Sequence, residues 1–329
     1  MTIIQRSRSF DEKQLISKIK KITTRGNIDN ISRTVFYAQF YKRHKEIRWA
    51  LLASLVSRNA GWNMTDLESN WFKEMLSLKF RSRVFLTYER ANWCIFSDAY
   101  PQLLLYEYSK KWGRPLFHLL DDFHVSAFMK KEWERFWDCP EIERLCTALI
   151  INEQHVIQKP VIEHPQIQKN VFQSLVYITE EHLHFSYVLF PTIEGKLYGF
   201  YVKNFIDVKE RIELGKQLAW LLYESDDTFS IRKFGLQIEH TGSRKDYERY
   251  LSWSIGKKTP FLRTTFPIVG HKRENITDWY YEGMEMKPFF KDIEKQNDID
   301  MTSWYKKKMA QLEFAVKTEN RLLPDGVIK

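Results

Sequence analysis

The sequence predicts a mostly α fold: a multi-helix globular array with a minor β-hairpin near residues 183–203. Three observations predict it. Glycine and proline are scarce, 12 and 10 in 329 residues, so few tight turns are available for many short strands. Helix start signals recur along the chain. Hydrophobic content of 43% against 28% charged residues is that of a packed protein rather than a disordered one.

The elements follow in order. Ser9 and Glu12 form a capping box, and Leu15, Ile19 and Ile22 share one helical face to about Ile22. Arg25-Gly26-Asn27 breaks that helix. Asp29 or Asn30 caps a second, to about His44, with Ile31, Val35, Ala38 and Tyr41 at core spacing. A third runs from Glu46 to Ala60, with Gly61 placed as a C-terminal glycine. Thr65 and Glu68 make a further capping box, for a helix to about Leu78. The segment from Arg83 to Asp98 is helical, and Pro101 suits the first position of a separate helix ending at Gly113. Pro115 and Pro140 open two more, the second reaching about Val156.

Pro160 and Pro165 in IQKPVIEHP mark a soft sub-boundary near 157–165. The expected organisation is a basic N-terminal helix over 1–24 and one large helical domain over 25–329. HFSYVLFPTIEGKLYGFYV carries two aromatic and β-branched runs around a loop from Pro191 to Gly195, the pattern of a hairpin. Asp207 with Glu210 caps a helix to Glu224. Ser243 with Asp246 starts another, to about Trp253. KKTPFLRTTFPIVGHKR reads as an ordered loop. The last helix spans Thr302 to Leu322.

The stretch WALLASLVSRNAGWNMTDLESNW, Trp49 to Trp71, poses the functional question. Ala50, Ser54, Ser57 and Gly61 form a small-residue stripe that lets a neighbouring backbone approach. The helix is apolar nearly all round and therefore buried. It then carries Arg58 and Asn59 into that interior, where an unpaired charge is costly and partners are expected. LTYERANWCIFSDAYPQLLLYEY offers them: Glu89, Arg90, Asn92 and Asp98 interrupt an apolar helix in the same way. Glu89 or Asp98 is the expected partner of Arg58. The cluster reads as a register-fixing network or as the wall of a ligand site.

NIDNISRT, WALLASLVSRNAGWNMTDL, ERANWCIFSDAYPQLLLYE, ALIINEQ, RIELGKQLAWLL and TGSRKDYERY together resemble a family of Bacillus-type bacterial proteins, a domain of unknown function (DUF2515-like). The resemblance runs from about residue 25 to 280. It implies a bacterial, cytosolic protein and carries no activity across.

Other motifs are weaker. Glu180, His182 and His184 would share a strand face, with His155 and His164 as further ligands, but a full metal set is missing. No metal or other cofactor is expected. Gly256-Lys257-Lys258-Thr259 fails as a phosphate loop, because residue 251 is Leu and residue 258 is Lys. No G-x-S-x-G is present. Thr241, Ser243, Arg244 and Lys245 surround an expected helix start and could take an anion. The cysteines, Cys94, Cys139 and Cys146, read as reduced thiols; Cys139 and Cys146 read as core residues.

The net charge of +9 is uneven. Residues 1–60 hold 13 basic and 4 acidic side chains, so the whole excess lies there. MTIIQRSRSF has no apolar run of a secretory signal, and no segment is apolar enough to span a membrane. The favoured function is a non-enzymatic cytosolic binding or scaffolding protein that takes a protein partner or an anionic ligand at the polar cluster. Two alternatives are nucleic-acid binding through the first 60 residues and the 257–273 loop, where Phe261 and Phe266 lie among five cations, and an enzyme acting on a phosphorylated or glycosyl substrate.

Overall fold

The computed structural model describes residues 8–173, 187–202, 204–273, 277–294 and 299–322. Three helices form the centre: α3 (Arg48–Asp66), α5 (Leu78–Trp112) and α7 (Ile142–Val156). Around them lie α1 (Phe10–Gly26), α2 (Asn30–Arg43), α4 (Asn70–Met75) and α6 (Ala127–Asp138), and a 3-10 segment over Phe117–Phe123. Strands β1 (Tyr187–Pro191) and β2 (Leu197–Tyr201) pair antiparallel, with Leu189 opposite Gly199. Helices α8 (Val208–Tyr223), α9 (Thr228–Gln237) and α10 (Thr302–Leu322) follow. The protein is mostly α, as its sequence predicts, and the hairpin and final helix lie where expected. Glu180, His182 and His184 fall outside the described residues.

The Ser9–Glu12 capping box is formed in both directions. Asp29 caps α2 by accepting from the Ser32 amide. The core face of α2 is partly the expected one: Ile31 and Tyr41 are buried, but Val35 is exposed, and Tyr37 and Phe40 are buried as well. The small-residue stripe of α3 does receive a neighbour, because α2 crosses it. Ser54 Oγ donates to the Thr34 carbonyl at 3.0 Å, and Thr34 Oγ1 donates to Ser57 Oγ at 2.8 Å.

Two expected breaks do not occur. Gly61 lies inside α3, which continues to Asp66. A glycine there costs about 1 kcal/mol relative to alanine, less than the burial of Trp62 and Met64 beyond it contributes. A Cβ on Gly61 would stand 2.3 Å from Asn30 Oδ1, so close packing rather than chain reversal requires the glycine. Pro101 likewise lies within α5, a single 35-residue helix. An interior proline costs about 3 kcal/mol. Leu103, Leu104, Leu105 and Tyr106 are all buried after it, and their packing outweighs that cost.

Thr65 and Glu68 form no capping box. Thr65 Oγ1 donates to the Gly242 carbonyl at 2.6 Å, Glu68 pairs with Arg81 and Lys73, and Ser69 caps α4 instead. The turn at Ser243 is helical only over Lys245–Glu248, because Ser243 Oγ is taken by Thr259. Helix α9 has no side-chain hydrogen bond at its N-cap, Asp227, and was not anticipated from the sequence. Cys94 and Cys146 are buried, but Cys139 is exposed at the end of α6.

Candidate functional site

The polar residues that interrupt the apolar helices resolve into four separate centres. Arg58 does not pair with Glu89 or Asp98. Its Nη2 donates to the carbonyls of Ile238 and Gly235, and its guanidinium lies over the Phe234 ring. It therefore caps the C-terminal end of α9. Burial lowers its pKa to about 10, partly offset by Asp246. Asn59 ties α3 to the hairpin: its Nδ2 donates to Leu189 O at 2.7 Å, and Leu189 N donates back to its Oδ1 at 2.8 Å. The pair thus joins α3 to α9 and the hairpin through backbone groups, while Arg58 Nε and Nη1, both buried, have no hydrogen-bond partner among the described residues.

Beside it, Asn30 Nδ2 donates to Ser57 O at 2.8 Å, which turns Oδ1 toward His240 Nε2 at 2.8 Å. Asp246 accepts from Trp62 Nε1 at 3.0 Å and from the Thr241 amide, and its Oδ2 lies 3.3 Å from His240 Nδ1. Burial lowers the pKa of His240 to about 4.

A second centre holds Glu89. Arg33 Nη2 reaches both Glu89 oxygens at 2.6 Å, and Arg33 Nη1 donates to Asn27 Oδ1. Asn92 donates to Tyr88 O on its own helix. In a third, Arg244 Nε contacts both oxygens of Asp66, Nη2 donates to Asn63 and Nη1 to Tyr247 OH. Lys257 Nζ lies 2.9 Å from Asp66 Oδ1. Burial holds Lys257 below the usual lysine range and Glu248 above the usual carboxylate range. Of the sequence's anion candidates, Arg244 and Ser243 are fully buried and Thr241 is bonded to Asp246. Lys245 is exposed, over the Phe261 ring. Asp66 thus takes Arg244, Asp246 takes Thr241, and Ser243 bonds to Thr259.

The basic 257–273 loop is also largely neutralised. Lys257 pairs with Asp66, Arg263 with Asp29 and Arg273 with Asp98. Phe266 stacks on Phe85 at 3.9 Å. In the first 60 residues, Arg8, Arg33, Arg43 and Arg48 pair with carboxylates further along the chain.

The fourth centre is a cleft of about 60 Å³. One wall is α5, with Arg90, Trp93, Cys94, Ser97 and Asp98. His124, Ser126 and the end of α7 at His155 form the second, and residues Lys272, Arg273 and 277–279 the third. Of the sequence's candidates, Arg90 and Asp98 meet here; Arg58, Asn59, Glu89 and Asn92 do not.

Asp98 is only 2% exposed. Its Oδ2 accepts from Asn152 Nδ2 at 2.6 Å and Gln102 Nε2 at 2.7 Å, and Arg273 Nη2 lies 3.4 Å from Oδ1. Burial raises its pKa, against the opposing effect of Arg273. Arg273 is fixed by the carbonyls of Phe123 and His124, each at 2.9 Å. His155 stacks parallel on Trp279 at 4.2 Å, and its Nε2 has no hydrogen-bond partner among the described residues. Burial lowers the His155 pKa to about 4, so the ring is neutral at pH 7.

Lys159 and Trp279 were not singled out from the sequence, and Lys272 and Arg273 were read there as part of a nucleic-acid-binding loop rather than of this cleft. The traces they leave are an asparagine in the apolar helix ALIINEQ and the HKR that ends the basic loop. No spacing rule links segments more than 100 residues apart. Among the described residues, no group of three His, Cys, Asp or Glu side chains could hold a metal ion. None of the described helices is long and apolar enough to cross a membrane.

Fold and cleft together define a mostly helical protein with a small cleft lined by Arg90, Lys159, Lys272 and Arg273 beside α5 and α7. The chain matches the family described as "Protein of unknown function (DUF2515)" over residues 25–306, and it belongs to that family. It is 49% identical over 309 residues to the "Uncharacterized protein YppC" of Bacillus subtilis (strain 168), covering 93% of this chain and 96% of that protein. No solved structure matches it.

Proposed function

We propose that the protein is a non-enzymatic, cytosolic binding protein that captures a small anionic ligand in the cleft between α5, α7, Lys272, Arg273 and residues 277–279. One observation carries this reading. Four cationic side chains, Arg90, Lys159, Lys272 and Arg273, line the cavity against two carboxylates, Asp98 and Asp278. Among the described residues, cationic side chains outnumber carboxylates along this lining. Such an excess in a partly enclosed, low-dielectric space attracts and retains an anion.

The size of the cavity limits the ligand. One water needs roughly 10–15 Å³, so the enclosed part of the cleft admits about four to six water-sized groups, enough for a compact oxyanion. Thermal unfolding in a panel of anions tests the reading. A ligand at 100 times its Kd stabilises the folded state by about 2.7 kcal/mol. At least one of phosphate, sulfate or acetate raises the Tm with concentration. The rise is lost in the Lys159→Ala/Lys272→Ala double variant, whose two side chains are exposed and unnecessary for packing. Anion-independent Tm values, or equal shifts in both proteins, would contradict it.

A further inference from the structure

We infer that a second site, the groove between α7, the end of α8 and residues 290–293, binds a small organic cation whose ammonium or guanidinium group lies on the Trp220 ring beside Glu224 and Asp292. The inference is independent of the anion reading and shares no lining residue with that cleft.

The groove has a volume of about 430 Å³, within the range of small-molecule sites. Three aromatic rings line it: Trp220, Tyr223 and Phe290. Two of them already carry a guanidinium of the protein. Arg48 lies 5.0 Å from the centre of the Tyr223 ring and pairs with Glu143 at 3.0 Å. Arg144 lies 4.3 Å from the centre of the Phe290 ring and pairs with Glu132 at 2.7 Å. Each unit is a ring, a cation and a carboxylate. At Trp220 the ring and the carboxylates are present, and no cation among the described residues lies over the ring. Tryptophan is nonetheless the strongest cation-binding ring of the three.

The carboxylates are Glu224 and Asp292. Glu224 follows Trp220 by one turn, its amide donating to the Trp220 carbonyl at 2.8 Å, so both side chains start from the same side of α8. Neither carboxylate has an ion-pair partner among the described residues. Of the other charged side chains in the lining, Arg48 and Glu143 pair with each other, and Lys216 Nζ is bonded to Glu213 at 3.0 Å. That leaves Lys291 against two carboxylates. The backbone adds to them. Helix α8 ends here with no basic side chain in its last turn, and the partial negative charge of its C-terminal carbonyls favours a cation. Ring face, carboxylates and helix end all attract the same kind of group.

Calorimetry and indole N–H spectra of the full chain at neutral pH test this. The probes are choline, agmatine and spermidine, with neohexyl alcohol as the uncharged carbon analogue of choline. At least one of the three cations should bind saturably and move the Trp220 indole signal, assigned by its loss in Trp220→Leu, while the Trp279 signal stays fixed. The affinity for that cation should fall at least about fivefold in Trp220→Leu. It should fall about threefold in Glu224→Gln, a change at an exposed residue that removes the charge and keeps the shape. A Trp220 signal indifferent to all three cations overturns the inference. So does a Trp220 signal that neohexyl alcohol moves as far as choline does, which would mark an apolar groove. Binding unchanged in both variants places the cation elsewhere and overturns it as well. If Trp220→Leu does not fold, the affinity of Glu224→Gln decides. The anion reading of the cleft stands or falls separately, on the response of Trp279 to anions.

Discussion

Gly61→Ala is the sharpest test of how α2 and α3 are joined. In a helix interior, alanine is favoured over glycine by about 1 kcal/mol, and an exposed site would be stabilised by that amount. At residue 61 the new Cβ would stand 2.3 Å from Asn30 Oδ1 and 2.9 Å from His240 Nε2. Both are far inside van der Waals contact, so the Asn30 side chain must leave. Its departure breaks the bonds to His240 and to Ser57 O, and each buried group left unpaired costs about 1–3 kcal/mol. Subtracting the propensity gain leaves a net loss of about 1–5 kcal/mol. Urea unfolding measures it as a lower midpoint with an unchanged slope. In an Asn30→Ala background most of the clash is gone, so Gly61→Ala should cost far less there than in the native sequence. A midpoint that rises in the native background would refute the close approach of the two helices.

Four further outcomes follow from the same contacts. Asn59→Ala leaves both backbone groups of Leu189 unpaired and should destabilise by about 2–4 kcal/mol in chemical unfolding. Asp66→Ala strands Arg244 and Lys257 in the interior; the expected cost is about 3–5 kcal/mol, and a neutral result would contradict the ion pairing. Glu46 is held at a pKa of about 2, burial being opposed by Lys110, its own amide and Tyr106. Its folded pKa lies below the unfolded one. Its contribution is therefore present above about pH 4.5 and fades toward pH 2, so unfolding midpoints of the native protein and Glu46→Gln should converge across that range. A thiol reagent should modify Cys139 rapidly in the folded protein and reach Cys94 and Cys146 only on unfolding, since those two are buried and Cys146 has its pKa pushed up to about 12.

The helical class, the hairpin and the caps at Ser9, Asp29, Asp207 and Gly113 were legible because each depends on a few neighbouring residues. The ends of α3 and the continuity of α5 were not. Gly61 and Pro101 are local break signals, overridden by burial of the side chains that follow them. The burial of Arg58 and Asn59 followed from the apolar sequence around them, but the choice of partner did not: Arg33, which takes Glu89, lies on a helix where it reads as one of many surface cations. Arg90 and Asp98 were visible as polar interruptions of an apolar helix. The cleft they share depends on Lys159, Lys272, Arg273 and residues 277–279, which only the tertiary fold brings to them.

The most direct test of the cleft is an indole N–H spectrum of the 15N-labelled protein during titration with phosphate. Trp279 donates its indole N–H to Asn152 beside Asp98, whereas Trp62 donates to Asp246 in a different centre. The signal of Trp279, assigned by its loss in Trp279→Phe, should move saturably with phosphate while that of Trp62 stays fixed. A Trp279 signal indifferent to phosphate, sulfate and acetate alike would contradict an anion site in this cleft.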